Sequence, residues 1–95
     1  MNIEAMIFSK EDLVNQHYIW IEDHSNLSFI GSPSRRLFNR LNGYQVLFII
    51  NSYGALSEKF TVENGRRIEE MIYKELPADT KSELSVFQWL KDVLK

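Results

Sequence analysis

The chain has 95 residues, 44% of them hydrophobic and 13% aromatic, and a net charge of −2. That length fits one domain around one core, and so many large apolar side chains exclude a globally disordered chain. There is no cysteine, which excludes disulfides, a thiolate nucleophile, iron–sulfur clusters and cysteine-ligated zinc. The small negative charge argues against broad attraction to nucleic acid or an anionic membrane.

Charge is distributed unevenly. Residues 1–31 carry Glu4, Glu11, Asp12, Glu22 and Asp23 against Lys10 alone, while residues 32–43 carry Arg35, Arg36 and Arg40 with no acid. The first ten residues lack a basic start before an apolar run, so they do not read as a signal peptide. The longest apolar run, Val46 to Ile50, is far short of the roughly 20 residues a membrane-spanning helix needs. A soluble, cytoplasmic protein is the expectation, and the sequon-like Asn26-Leu27-Ser28 matters only in a secreted chain.

Along the chain, residues 2–8 mix Ile3, Ile7 and Phe8 with Ala5 and Met6 and fit a first strand. Ser9-Lys10-Glu11-Asp12 has the serine-x-x-acid form of a helix start and predicts a short helix to about Gln16. From His17 to Glu22, Ile19 and Ile21 alternate with Tyr18 and Trp20, as in an extended chain that is apolar on both sides. The turn chemistry of Asp23-His24-Ser25-Asn26, followed by Leu27 to Ile30, makes residues 17–30 a predicted hairpin.

Gly31-Ser32-Pro33 reads as a helix start, with a helix near 33–42 closed by Gly43. On that helix Leu37, Phe38 and Leu41 share one side, and the three arginines fan across the other. Tyr44 to Ile50, rich in β-branched and aromatic residues, predicts the central strand of a sheet. Glu58 to Val62 fits a further strand or a loop.

Beyond it, Ile68, Met71, Ile72 and Leu76 recur at helical spacing and predict a surface helix over 64–76, stopped by Pro77. Thr80-Lys81-Ser82-Glu83 then reads as a capping box for a last helix over 81–94. The apolar residues of that helix spread over an arc of roughly 220°, wider than the stripe of about 100° that one packing surface requires. These elements together predict an α+β fold, a small sheet of about three to five strands covered by helices, in one domain over residues 1–95.

Three constellations bear on function. Ser32, Ser34, Arg35, Arg36 and Arg40 gather hydroxyls and guanidinium groups at the expected helix start, where free N–H groups and the helix dipole favour an anion, phosphate above all. The same residues also serve as an ordinary cap with arginines paired to acids, and the lysine and spacing of a phosphate-binding loop are missing. His17, Asp23 and His24 with Ser25 or Ser28 include the residue types of a hydrolytic triad, without a glycine-x-serine-x-glycine turn to position a nucleophile. His17 and His24 with Asp23 or Glu22 lack a recognised metal-ligand spacing, so neither a catalytic residue nor a metal is assigned.

Tyr18, Trp20 and Trp89 are of the kind that anchors interfaces, or fills a core. The excess apolar arc of the last helix makes Val86, Trp89 and Val93 a candidate partner or dimer surface. Arginines beside Phe29 and Tyr44 suit a nucleic-acid strand, but three arginines on an acidic chain carry that reading poorly. A non-enzymatic binding or regulatory module acting through a protein partner is therefore the first expectation, without a cofactor. Binding of a phosphorylated small ligand at Ser32–Arg36 is the second.

Overall fold

The run Tyr44–Ile50 is helical. In the computed structural model, which describes residues 8–20, 32–57 and 59–94, it lies inside α1, Gly43–Gly54, followed by α2, Val62–Lys74, and α3, Glu83–Val93. The described residues contain no β-strand; two isolated bridges, Ile19 with Asn42 and Leu37 with Ser82, are the extent of extended pairing. The α+β architecture and its central strand at 44–50 are thereby corrected to a helical fold.

The physical reason lies in burial. Val46, Leu47, Phe48, Ile49 and Ile50 are all buried, and five consecutive residues at 100° each cover every side of a helix. A helix apolar all round is stable only at the centre of a molecule, and α1 is packed by both α2 and α3. A short apolar run is equally compatible with a buried strand or a buried helix segment. What decides is the start: the Asn42 side chain accepts a hydrogen bond from Tyr44 N at 3.1 Å, capping the helix. Gly43, expected to close a helix, opens one.

No helix forms over 33–42. Residues 34–38 of that segment, irregular apart from the bridge at Leu37, lie alongside the start of α3 and lend it carbonyl groups: Glu83 N donates to Arg36 O (2.9 Å) and Leu84 N to Ser34 O (3.0 Å), while Phe38 N donates to Lys81 O (2.7 Å). Helix starts leave N–H groups without partners; here the preceding segment supplies them, using carbonyls a local helix would have consumed.

The short helix expected through Gln16 is a single 3-10 turn, Lys10–Asp12, in which Ser9 N donates to the Asp12 carboxylate at 2.9 Å. It stops because the next amides are taken elsewhere, as described below. Residues 13–20 continue outside any helix. Ile19 N donates to Leu41 O and Gly43 N to Ile19 O, both at 2.8 Å, so the first arm of the expected hairpin runs parallel to residues just before α1. Its second arm, with the sequon, Asp23, His24, Ser25 and Ser28, lies outside the described residues, as does the expected strand at 2–8 apart from Phe8.

The helices expected at 64–76 and 81–94 are present with shifted starts. Thr61 caps α2: Asn64 N donates to Thr61 Oγ1 (3.2 Å), and Thr61 N to Asn64 Oδ1 (3.0 Å). Ser82 caps α3 by accepting from Ser85 N at 3.1 Å, displacing the expected box from Thr80 to Glu83. Residues 59–61 are neither strand nor helix. The core joins Phe8, the α1 run, Ile68, Ile72, Leu76, Val86 and Leu90. Phe8 lies so close over Gly65 that a β-carbon there would collide with its ring. No helix among the described residues is long and apolar enough to cross a membrane.

Candidate partner-binding site

Where a sheet would have satisfied the extended segments, buried side chains do so. Asn51, on α1, accepts from Phe8 N (2.9 Å) and donates to Phe8 O (2.8 Å) and to Leu47 O (3.0 Å). Its amide thus pairs with a peptide unit as a neighbouring strand would. Glu69, on the inner face of α2 and 1% exposed, accepts from Val14 N (2.8 Å), Asn15 N (3.0 Å) and Tyr18 Oη (2.8 Å). Those two amides are the ones withheld from the expected N-terminal helix.

Glu83 is the third buried polar anchor and is fully buried. It accepts from Ser34 N at 3.0 Å, from Gln45 Nε2 at 2.7 Å and from the Arg36 guanidinium, whose Nε approaches to 2.7 Å. Gln45 extends the network by donating to Leu37 O (2.9 Å) and accepting from Asn39 N (2.8 Å). A buried carboxylate is tolerated only with such partners.

This network absorbs most of the expected anion site. Arg36 is committed to Glu83, with its guanidinium also 5.8 Å from the centre of the Phe48 ring. Arg40 donates to Ile72 O (3.3 Å) and Leu76 O (3.2 Å), serving the carbonyl end of α2. The Ser34 hydroxyl faces Glu83 at 3.3 Å. Ser32 and Arg35 are exposed, and no helix start lies between them to collect an anion. The phosphate reading loses the helix dipole and two of its three guanidinium groups.

The expected interface on the last helix is split by the fold. Val86 is fully buried in the core, Trp89 packs half-buried against it, and Val93 is 46% exposed. Beside α1 the helix instead presents Phe87 and Lys91: Tyr53 meets the Phe87 ring edge-on at 6.1 Å and the Lys91 ammonium lies 5.6 Å from it. Tyr53, Leu56 and Phe60 carry no signal of this role in the sequence, where Asn51-Ser52-Tyr53-Gly54 has the chemistry of a strand end.

Around Tyr53 two open hollows adjoin. One, of about 240 Å³, is lined by Phe60, Arg67 and Leu94; the other, of about 400 Å³, by Leu56 and Lys91. Tyr53 and Ser57 border both. Phe60 packs against Gly54, where a β-carbon would come within 2.8 Å of its ring. Leu56 stands at the rim, 65% exposed.

On the opposite flank an aromatic row runs from Tyr73 through His17 (4.8 Å between ring centres) and Tyr18 (4.3 Å) to Trp20 (6.0 Å) and Tyr44 (5.0 Å). Lys10 lies 4.3 Å from the centre of the Trp20 ring, a cation–π contact that fastens the row. Trp20 and Tyr18 therefore hold residues 17–20 against α1 and α2. Burial and the hydrogen bond to Glu69 raise the Tyr18 phenol above its ordinary pKa of 10.0.

His17 is exposed and stacked, and among the described residues no three acids or histidines gather as metal ligands. No family model, curated protein or solved structure matches the chain. The geometry alone carries the functional reading.

Proposed function

We propose that the chain is a non-enzymatic binding module that acts through a protein partner, seated in the double hollow between the end of α1, the start of α2 and the end of α3. The observation that carries this reading is the adjoining pair of hollows about Tyr53, with Leu56, Phe60 and Leu94 presented around it. Concave apolar surface with aromatic anchors and a polar rim is the anatomy of protein recognition sites. The buried carboxylates elsewhere have structural partners, and this groove combines concave surface with apolar side chains available to be covered. The last helix keeps the interface role expected of it, through Lys91 and Leu94 in place of Val86.

A photo-crosslinking amino acid placed at position 56 in cells tests the reading, with position 37 as control. Leu37 is 74% exposed and remote from the groove in the chain's packing, since it pairs with Ser82 at the start of α3. A discrete crosslinked protein from position 56 and none from position 37 is expected. Absence of a product at 56, or the same products from both positions, defeats the proposal.

A further inference from the structure

We infer that the double hollow selects an acidic peptide segment carrying two apolar anchor side chains. This rests on the groove reading above and adds the chemistry of the occupant. Arg67 stands on the first hollow and Lys91 on the second, and no carboxylate of a described residue lines either. The chain as a whole is net negative, so this local excess of cations runs against its overall balance.

Neither cation has a carboxylate partner among the described residues. Lys91 faces the Phe87 ring, which leaves its charge available to a visiting anion. The neighbouring hollow between α2 and the end of α3 differs: it is lined by Arg66 and Arg67 but also by Glu70 and Glu75, and has no net sign. The Tyr53 groove thus presents cations without a lining carboxylate among the described residues, which would steer and select a partner of opposite sign.

The shape points to a chain and not to a small molecule. Small ligands are held in cavities that bury most of their surface; these hollows are open and lie side by side across Tyr53 and Ser57. Two neighbouring side chains of one peptide, as on one face of a short helix, fill two such hollows together. Their carboxylate neighbours then meet Lys91 and Arg67 at the rims.

A cation in the last turn of a helix also suits the helix dipole, so stability and binding have to be read separately. The test is selection of a randomised library of short peptides, displayed on phage, against the intact chain. Amide shifts then map where the enriched peptides bind. Enriched sequences should pair two apolar residues with several Asp or Glu and shift Tyr53, Leu56, Phe60 and Leu94. Reversing both charges, Lys91→Glu with Arg67→Glu, should weaken binding by about tenfold or more with an unchanged circular dichroism spectrum. The milder pair Lys91→Gln and Arg67→Gln stands in if the reversal variant unfolds.

Peptides that occupy the groove without acidic residues, or whose binding ignores these substitutions, overturn the acidic-segment inference and leave the groove reading intact. Shifts confined to other surfaces, or no enrichment at all, overturn both.

Discussion

Glu69 and Glu83 solve one problem in two ways. Each is a carboxylate on the inner side of a helix, removed from water, that holds an extended segment against the helices. Glu83 does so with a guanidinium beside it, at 2.7 Å, and with Gln45 relaying to the backbone of Leu37 and Asn39. Glu69 has no cation among its described hydrogen-bond partners and is held by two amides and a phenol. The first is an ion pair in a network; the second is a carboxylate bound as a helix start binds one, by neutral donors.

The difference teaches where failure should be local. Removing Glu83 takes from Arg36, with only 23% of its side chain exposed, the buried carboxylate it faces, and it unties Ser34, Gln45 and through Gln45 the segment to Asn39. Removing Glu69 orphans neutral groups of a segment at the edge of the molecule. Coupled charges should therefore cost more, and spread further, than coupled dipoles.

The largest effect expected is from Glu83→Ala, which should lower stability by about 3–5 kcal/mol, the range for breaking one side of a buried pair. Denaturant midpoints measure this directly. Amide exchange should accelerate at Ser34 and Asn39, which lie on opposite sides of the node. A cost no greater than that of Glu69→Ala would mean that the guanidinium contributes nothing, and the contrast between the two carboxylates would collapse.

Next comes Glu69→Ala, expected to cost about 2–3 kcal/mol because two amides and a phenol lose their acceptor while part of the segment regains water. Exchange should quicken at Val14 and Asn15 and stay slow along α3. Loss of protection throughout the molecule would show that residues 13–18 are integral to the core and not an appended strap, and would sharpen the comparison in the opposite direction.

Both carboxylates stand in plain view in the sequence, and neither is legible there as a buried anchor. Glu69 lies three residues before Ile72 and four after Gly65, which places it on the buried face of α2; an acid between apolar positions ordinarily marks the solvent face. Glu83 sits three residues after Thr80, and that spacing drew it into a capping box although Ser82 is the cap. Spacing located α2 and α3 well, since apolar residues recur at helical intervals in both and each starts from a hydroxyl cap.

Spacing failed on α1, where apolar residues on every side erase the period, and on residues 33–42, where the carbonyls that would build a helix are taken by the first amides of α3. Phe38 and Leu41 were expected to share a buried helical face with Leu37; without the helix, Leu37 is 74% and Leu41 48% exposed. Of the proposed site, the sequence offered the last helix but not Lys91 or Leu94, since the expectation rested on Val86, Trp89 and Val93. The groove was not legible, because it depends on α1 continuing through Tyr53 to Gly54, and the strand reading ended at residue 50.

The smallest effect expected separates the two carboxylates by pH. Burial, reinforced by the hydrogen bond from its hydroxyl to Glu69 and by that carboxylate's charge, raises the Tyr18 pKa in the folded chain above its ordinary value of 10.0. Between about pH 10 and the folded value, the unfolded phenol has released its proton while the folded one keeps it, so the unfolded state binds fewer protons and stability falls as pH rises. Below about pH 10 the contribution is complete. Tyr18→Phe should cost about 1 kcal/mol at neutral pH, the worth of one hydrogen bond, and should flatten the decline of the thermal midpoint above pH 10. The Glu83 node has no phenol in it, so Glu83→Gln should keep the full alkaline slope of the wild type even though it is the less stable variant at neutral pH. Identical alkaline slopes for wild type and Tyr18→Phe would place the phenol's hydroxyl in water in both states, and the strap at 13–18 would then be held by its two amides alone.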